Sequence, residues 1–143
     1  VHLEQYQQRA EDFGKDVRRT IENGLAMTAV EYMQARRHRL EIVQEVRQKM
    51  EEVELLMTPT LPIPAPFIEE KEVELDGRRL RTSQELMRFT TLANLTGHPA
   101  LSIPCGKTEQ GLPVSVQWIG RPFEEQTLLS VGHLVEQRIG ILL

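Results

Sequence analysis

Ala100-Leu-Ser-Ile-Pro-Cys105 and Val114-Ser-Val-Gln-Trp-Ile119 decide the fold of this 143-residue chain. The first is a short apolar run that ends on a proline, which reads as a buried strand whose Pro104 sits at its end or on an edge. In the second, Val114, Val116 and Trp118 alternate with Ser115, Gln117 and Ile119, the period of a strand. The region 106–112 between them is a turn, so the two strands are expected to pair antiparallel. Beyond them Gly120 and Pro122 break the strand, and Glu124 and Glu125 suit a helix N-terminus. Leu128, Val131, Val135 and Ile139 then form a helical stripe, with Gly132 beside it allowing close helix–sheet packing.

Working back from Ala100, Gly97 and Pro99 stop a helix. Thr82 and Glu85 read as its capping box, and Leu86, Phe89 and Ala93 as its apolar face. Asp76-Gly77, flanked by Val73, Leu75 and Leu80, is a favoured two-residue hairpin turn in a charged, exposed segment. Pro59, Pro62, Pro64 and Pro66 exclude helix and make a stiff loop, and residues 53–58 before it read as a strand. Residues 1–56 otherwise read as helical. Gly14 interrupts this stretch, Gly24 ends a first helix, and Thr28 with Glu31 caps the next. Val30, Met33, Leu40, Val43, Val46, Met50 and Val53 lie on one face of that helix. The expectation is one α/β piece: helical over 1–56, a Pro-rich loop and exposed hairpin over 57–81, then helix, two strands and helix over 82–143. Helices cover a mixed sheet whose edges are open unless further strands belong to the protein.

Seventeen Lys and Arg stand against 21 Asp and Glu, a formal charge of −4. This argues against a sequence-independent nucleic-acid binder. No stretch is long and apolar enough for a membrane span, and the first ten residues do not read as a signal peptide. With one cysteine, Cys105, no internal disulfide can form, and a cytoplasmic location is the default.

The chemistry-bearing residues form no catalytic constellation. Ser83, Ser102, Ser115 and Ser130 lie outside any Gly-rich turn that could supply oxyanion donors. His2, His38, His98 and His133 have no metal-ligand spacing, so no metal or cofactor is expected. His98 reads as a turn residue, and Cys105 as a buried, inert thiol. The run Arg36-Arg37-His38-Arg39 has Glu31, Glu41 and Glu45 at helical spacing and reads as a solvated face. Arg18 and Arg19, and the acidic groups at Glu51, Glu52, Glu54 and 69–74, read the same way.

Three blocks carry a resemblance. Glu54-Leu-Leu-Met-Thr-Pro-Thr-Leu-Pro-Ile-Pro-Ala-Pro66 is similar to a D-x-L-L-x-P-T-x-P-x-x-A-P segment. Phe89-Thr-Thr-Leu-Ala-Asn-Leu-Thr-Gly-His-Pro-Ala-Leu-Ser-Ile-Pro-Cys-Gly106 is similar to T-x-x-x-N-L-x-G-x-P-A-x-S-x-P-x-G. Gly111-Leu-Pro-Val-Ser-Val-Gln-Trp-Ile-Gly-Arg-Pro-Phe-Glu-Glu-Gln-Thr-Leu-Leu129 is similar to G-L-P-x-G-x-Q-x-x-G-x-x-x-x-E-x-x-L-L, with Ser115 where Gly is frequent. All three patterns, in this order, belong to the amidase signature family, and the helix at Tyr32-Met-Gln-Ala-Arg-Arg-His-Arg39 resembles the one preceding them there. The resemblance implies hydrolysis or transfer of a carboxamide by a Ser–Ser–Lys triad. No Gly/Ser-rich signature occurs in this chain, so it resembles the C-terminal part of the family and no catalytic residue is carried over.

The family role implied for this region is to complete the sheet and part of the substrate pocket wall. Thr58, Pro59, Thr60, Trp118 and Ile119 are the candidate wall residues. The implied partners are the N-terminal catalytic part of the same protein and a small amide. The chain alone is expected to be inactive, and its uncovered surface to favour a homodimer. A general amidase is the first reading. The alternative is the glutamine-using component of a tRNA-dependent amidotransferase, its A chain. It is disfavoured because Leu86-Met-Arg-Phe-Thr90 lacks the acidic residue those chains tend to carry. A further departure, from the family at large, is Thr20, where many members have Arg. A non-catalytic interaction module that keeps the fold is the remaining alternative.

Overall fold

The protein is described from a computed structural model over residues 2–140. Its backbone divides into two units, residues 1–40 and 41–143. In the first, α1 (Leu3–Gln8) leads through a 3-10 turn (Ala10–Asp12) to α2 (Lys15–Ala26), and α3 (Ala29–Met50) begins. The Tyr6 hydroxyl donates to Glu22 at 2.6 Å, and the Tyr6 and Phe13 rings meet edge to face. Gly24 lies inside α2 rather than ending it; the break falls at Met27 and Thr28. A single glycine costs a helix only about 1 kcal/mol, too little to stop a propagating turn.

The Thr28–Glu31 capping box forms as expected. Glu31 N–H donates to Thr28 Oγ1, and Thr28 N–H donates to Glu31 Oε2 at 2.8 Å. The Thr28 N–H, and the Thr28 hydroxyl donating to the same oxygen at 2.7 Å, hold the Glu31 carboxyl below its usual range. The apolar face of α3 is buried only at its end. Val30, Met33 and Leu40 are exposed, Val43 and Val46 are half-buried, and Met50 is buried.

The second unit holds the rest of α3, then β1 (Leu55–Pro59), the hairpin β2 (Glu72–Leu75) and β3 (Arg78–Arg81), and the short helices α4 (Thr82–Glu85) and α5 (Thr90–Thr96). It closes with β4 (Ala100–Lys107), β5 (Pro113–Gly120) and α6 (Glu125–Ile139). The hairpin turns at Asp76-Gly77, both with positive φ, the geometry that matches strand twist. The larger sheet has the order β1-β5-β4, and both pairings are antiparallel.

The register sorts the side chains. Leu55, Met57, Val116, Trp118, Leu101 and Ile103 share one face, and Leu56, Thr58, Gln117, Ile119, Ala100 and Ser102 the other. Helix α6 packs on β4 and β5 over the first face. Gly132 makes this approach possible: a Cβ there would stand 2.5 Å from Leu101 Cδ2. Leu128 fills the space above Gly120 in the same way.

Two local expectations are corrected. Thr82 and Glu85 do not form a capping box. β3 runs to Arg81, and the Thr82 N–H donates to Lys71 O at 3.0 Å, so Thr82 enters α4 as its first residue. Glu85 is buried and pairs instead with Arg88 at 2.9 Å. Cys105 is exposed, not buried. It sits in a bulge between Pro104 and Gly106, and the extra residue there falls out of the inside–outside alternation.

Arg121 ties the end of α3 to the sheet. Its Nε donates to Met50 O at 3.0 Å and its Nη2 to Val53 O at 3.1 Å. The last carbonyls of a helix lack intrahelical partners, and a cation there also meets the favourable end of the helix dipole. Arg121→Ala is expected to destabilise the fold by about 2 kcal/mol, in the range for charged donors. Arg121→Lys should recover less than half of this, because an ammonium cannot reproduce the planar fork. A shift in denaturant midpoint checks both.

Candidate functional site

The stiff loop after β1 builds a hollow of about 360 Å³. Thr60, Pro62, Ile63, Pro64 and Ala65 form one wall, and Thr108, Pro113, Val114 and Ser115 the other. The prolines fix φ and so stiffen that wall. Ile63 is buried and anchors it. The Thr60 N–H continues the β1–β5 ladder by donating to Ser115 O at 2.9 Å. Hydroxyl groups line the hollow beside apolar surface, and no titratable side chain is among its lining residues. Such a hollow can position a neutral ligand but supplies no proton transfer of its own.

The five candidate wall residues fall on different sides of the sheet. Thr58 and Ile119 share the face away from α6, whereas Pro59 and Trp118 belong to the α6 face. Thr60, just past β1, reaches the hollow. Thr58 Oγ1 donates to Pro59 O at 3.0 Å and accepts from Gln117 Nε2 at 2.9 Å. Ile119 is 1% exposed. Trp118 is half-buried, and its indole Nε1 has no partner among the described residues.

Two residues that the sequence reading left as ordinary strand positions join this group. Thr60 Oγ1 and Ser102 Oγ lie 2.7 Å apart. Gln117, 3% exposed, donates from Nε2 both to Thr58 Oγ1 and to Phe89 O at 2.9 Å. The available signal for Gln117 was a polar residue beside Ile119 in an otherwise apolar run. For Ser102 it was alternation with Ile103, which puts the hydroxyl on the face of Thr58.

His98 is buried in the turn after α5, as a turn residue. The Thr96 hydroxyl donates to Leu92 O at 2.8 Å, so its oxygen accepts from His98 Nδ1–H at 2.7 Å. This assigns the Nδ1–H tautomer and leaves Nε2 buried with no partner among the described residues. Burial, and then the positive charge of Arg47, push the imidazole below its usual value of 6.5. With the folded pKa lowered, the unfolded chain binds the proton more readily. Stability from this group is therefore present above about pH 6.5 and is lost as the pH falls below it. Melting temperatures at pH 7.5 and 5.5 should show this loss, and His98→Asn should remove the His98 part of the difference.

A second hollow, of about 600 Å³, lies between the end of α3, β1 and α5. Val46, Met50, Val53, Leu56 and Leu92 form its apolar surface. Among the described residues no group of His, Cys, Asp and Glu has the arrangement of a metal site, and no helix is long and apolar enough to cross a membrane.

A three-stranded sheet with no further strand at either edge among the described residues, α6 packed on it and a proline-walled hollow at a strand end place the chain among α/β proteins. The amidase family model matches residues 3–129, and the chain belongs to the amidase family. It is 36% identical over 137 residues to an amidase of Pseudomonas putida, covering 95% of this chain and 29% of that protein. With a fatty acid amide hydrolase of Oryza sativa subsp. japonica it shares 34% over 126 residues, 88% of this chain and 21% of that one. With the A component of the glutamyl-tRNA(Gln) amidotransferase of Thermodesulfovibrio yellowstonii it shares 36% over 141 residues, 94% of this chain and 28% of that one. An amidase crystal structure superposes with a TM-score of 0.89 at 32% identity, over 97% of this chain and 32% of that one. The corresponding amidotransferase component of Thermotoga maritima superposes with a TM-score of 0.62 at 27% identity, over 94% of this chain and 30% of that one. The chain thus spans less than a third of each of these relatives.

Proposed function

We propose that this chain is the C-terminal part of an amidase that hydrolyses a carboxamide C–N bond with a Ser–Ser–Lys triad supplied by the preceding part of the same protein. The observation that carries the reading is the amidase match over residues 3–129 in a chain that spans 29% of a related amidase. The sequence itself has no Gly/Ser-rich segment to hold such a triad. In this reading the chain completes the sheet and lends Thr60 to the wall of the substrate pocket, with Thr58 and Ile119 on one face of the sheet and Pro59 and Trp118 on the other supporting that wall from behind. The hollow beside Thr60, hydroxyl-lined and free of titratable side chains, fits a neutral amide group or the small apolar substituent next to it. The whole protein works in the cytoplasm on a small amide, and this chain alone is inactive.

The first test is the size of the native polypeptide, by immunoblot of source-cell extract. A product several times 16.5 kDa is expected. That longer protein, purified, should release ammonia or amine from simple amides, and the 143-residue chain should not. Turnover by the short chain that survives further purification would sink the reading. A native product near 16.5 kDa would favour a non-catalytic interaction module.

The likeness to the A components of tRNA-dependent amidotransferases supports a second reading, a glutamine-dependent enzyme that acts on aminoacyl-tRNA together with other polypeptides. The lower TM-score, 0.62 against 0.89, favours the amidase. Activity that requires glutamine, with copurifying polypeptides, would reverse that order.

A further inference from the structure

We propose that Ser115 is a specificity-determining residue that holds an uncharged hydrogen-bonding group, a second carboxamide, at the end of the substrate remote from the scissile bond. The inference deepens the reading of the hollow beside Thr60 as part of a substrate pocket, and rests on it.

Thr60 and Ser115 face each other across the strands. The register pairs Pro59 with Val116, and one residue further on the Thr60 N–H donates to Ser115 O at 2.9 Å. Alternation puts the Ser115 side chain on the sheet face away from α6, with Gln117 and Ile119. Three hydroxyls line the hollow, from Thr60, Thr108 and Ser115. Their hydrogen-bonding capacity is not equally spent. Thr60 Oγ1 lies 2.7 Å from Ser102 Oγ. Thr108 Oγ1 accepts from the Leu112 N–H at 3.2 Å and keeps its own proton to donate. Ser115 Oγ has no partner among the described residues.

A serine hydroxyl supplies one donor and also accepts. With the Thr108 proton, the hollow therefore offers two donors and an acceptor. A carboxamide uses both kinds: its carbonyl takes donors and its N–H needs an acceptor. A carboxylate could take the donors, but no Lys, Arg or His lines the hollow to balance its charge. Lys107 and Glu109 flank Thr108 with opposite signs, and neither is among the lining residues. An apolar end would displace water from the hydroxyls without replacing its hydrogen bonds. The volume of about 360 Å³ is at the low end for small-molecule sites and suits a compact group. With no side chain able to transfer a proton, the hollow receives the end of the substrate that does not react.

The test is steady-state hydrolysis by the longer polypeptide that carries this chain, on three amides of one shape. Succinamide ends in a second carboxamide, succinamate in a carboxylate and isocaproamide in an isopropyl group. Succinamide is expected to exceed succinamate in kcat/KM by at least about tenfold, because the charge is taken from water without a counter-ion. Ser115→Ala should lower the ratio of succinamide to isocaproamide about fivefold, the size of one hydrogen bond. Ser115→Thr keeps the hydroxyl and should restore most of that ratio. The ratio does not depend on how much of each variant is folded. A purely structural role changes the substrates alike, so a ratio unmoved by Ser115→Ala would overturn the proposal and leave the amidase reading standing. A preference for succinamate would overturn it too, by placing a cation at that end. Hydrolysis of acetamide with none of the three turned over would overturn it in the same way. No hydrolysis of any amide would defeat the parent reading and this proposal together.

Discussion

Ile119→Ala is expected to lower the stability of the fold by about 3 kcal/mol, within the 2–5 kcal/mol typical of truncating a buried aliphatic residue. That is roughly a hundredfold change in the folded-to-unfolded ratio. Ile119 is 1% exposed on the middle strand of the sheet, between Leu56 and Ala100. Three methyl(ene) groups removed from such a site leave a cavity that the flanking strands cannot close without breaking their register. The same variant separates two roles for the residue. A core role lowers the denaturant midpoint and leaves KM of the longer enzyme unchanged under conditions where the variant is folded. A role in the pocket wall raises KM. A midpoint unchanged within about 0.5 kcal/mol would mean that the site collapses at no cost.

Gln117→Met should cost about 2 kcal/mol. Its Nε2 donates to Thr58 Oγ1 and to Phe89 O, joining β5 to β1 and to the segment before α5. Removing the amide leaves the Phe89 carbonyl without this donor, and losing a partner costs more than the net worth of the bond. A methionine of similar length preserves the packing, so the loss reports the hydrogen bonds. Thr58→Val alone should cost less, because Thr58 accepts only one of the two bonds. In the double variant the losses should fall short of additive by about 0.5 kcal/mol or more. Strict additivity would show that Gln117 and Thr58 do not act together.

Several features were legible because neighbouring residues decide them. Thr28 and Glu31 meet across one helical turn whatever the rest of the chain does. Asp76-Gly77 selects its turn through backbone sterics, and Gly97 ends α5 with φ of 75° by the same freedom. Gly132 was legible as a close-packing position because a missing side chain on an apolar stripe has few other uses. The candidate wall residues do not share one surface. Thr60 does line a hollow, but alternation along β1 and β5 sends Trp118 to the opposite face from Ile119.

Other features depended on what the chain meets in space. The Thr82–Glu85 spacing is that of a capping box, yet the Thr82 N–H goes to Lys71, which the hairpin brings alongside. Cys105 follows an apolar strand and reads as buried, yet a bulge turns it to the surface. The helical face running from Val30 is continuous in sequence, yet burial begins only at Val43 and Val46 and is complete at Met50.

Taken by itself, the amino-acid sequence did not determine the break of the helix expected after Thr82 into α4 and α5. It determined most of the element types, the Asp76-Gly77 turn, the antiparallel pairing of the last two strands and the family resemblance. These follow from periodicities and local sterics that act over a few residues, and from blocks of residues that recur together. Only the tertiary structure decided that β1 lies beside β5, that Gln117 bridges three segments and that Ser102 meets Thr60. Each of those contacts joins residues 28 or more apart, and no local preference encodes such a meeting. They are set by which arrangement buries the apolar faces while leaving the fewest buried polar groups unpaired.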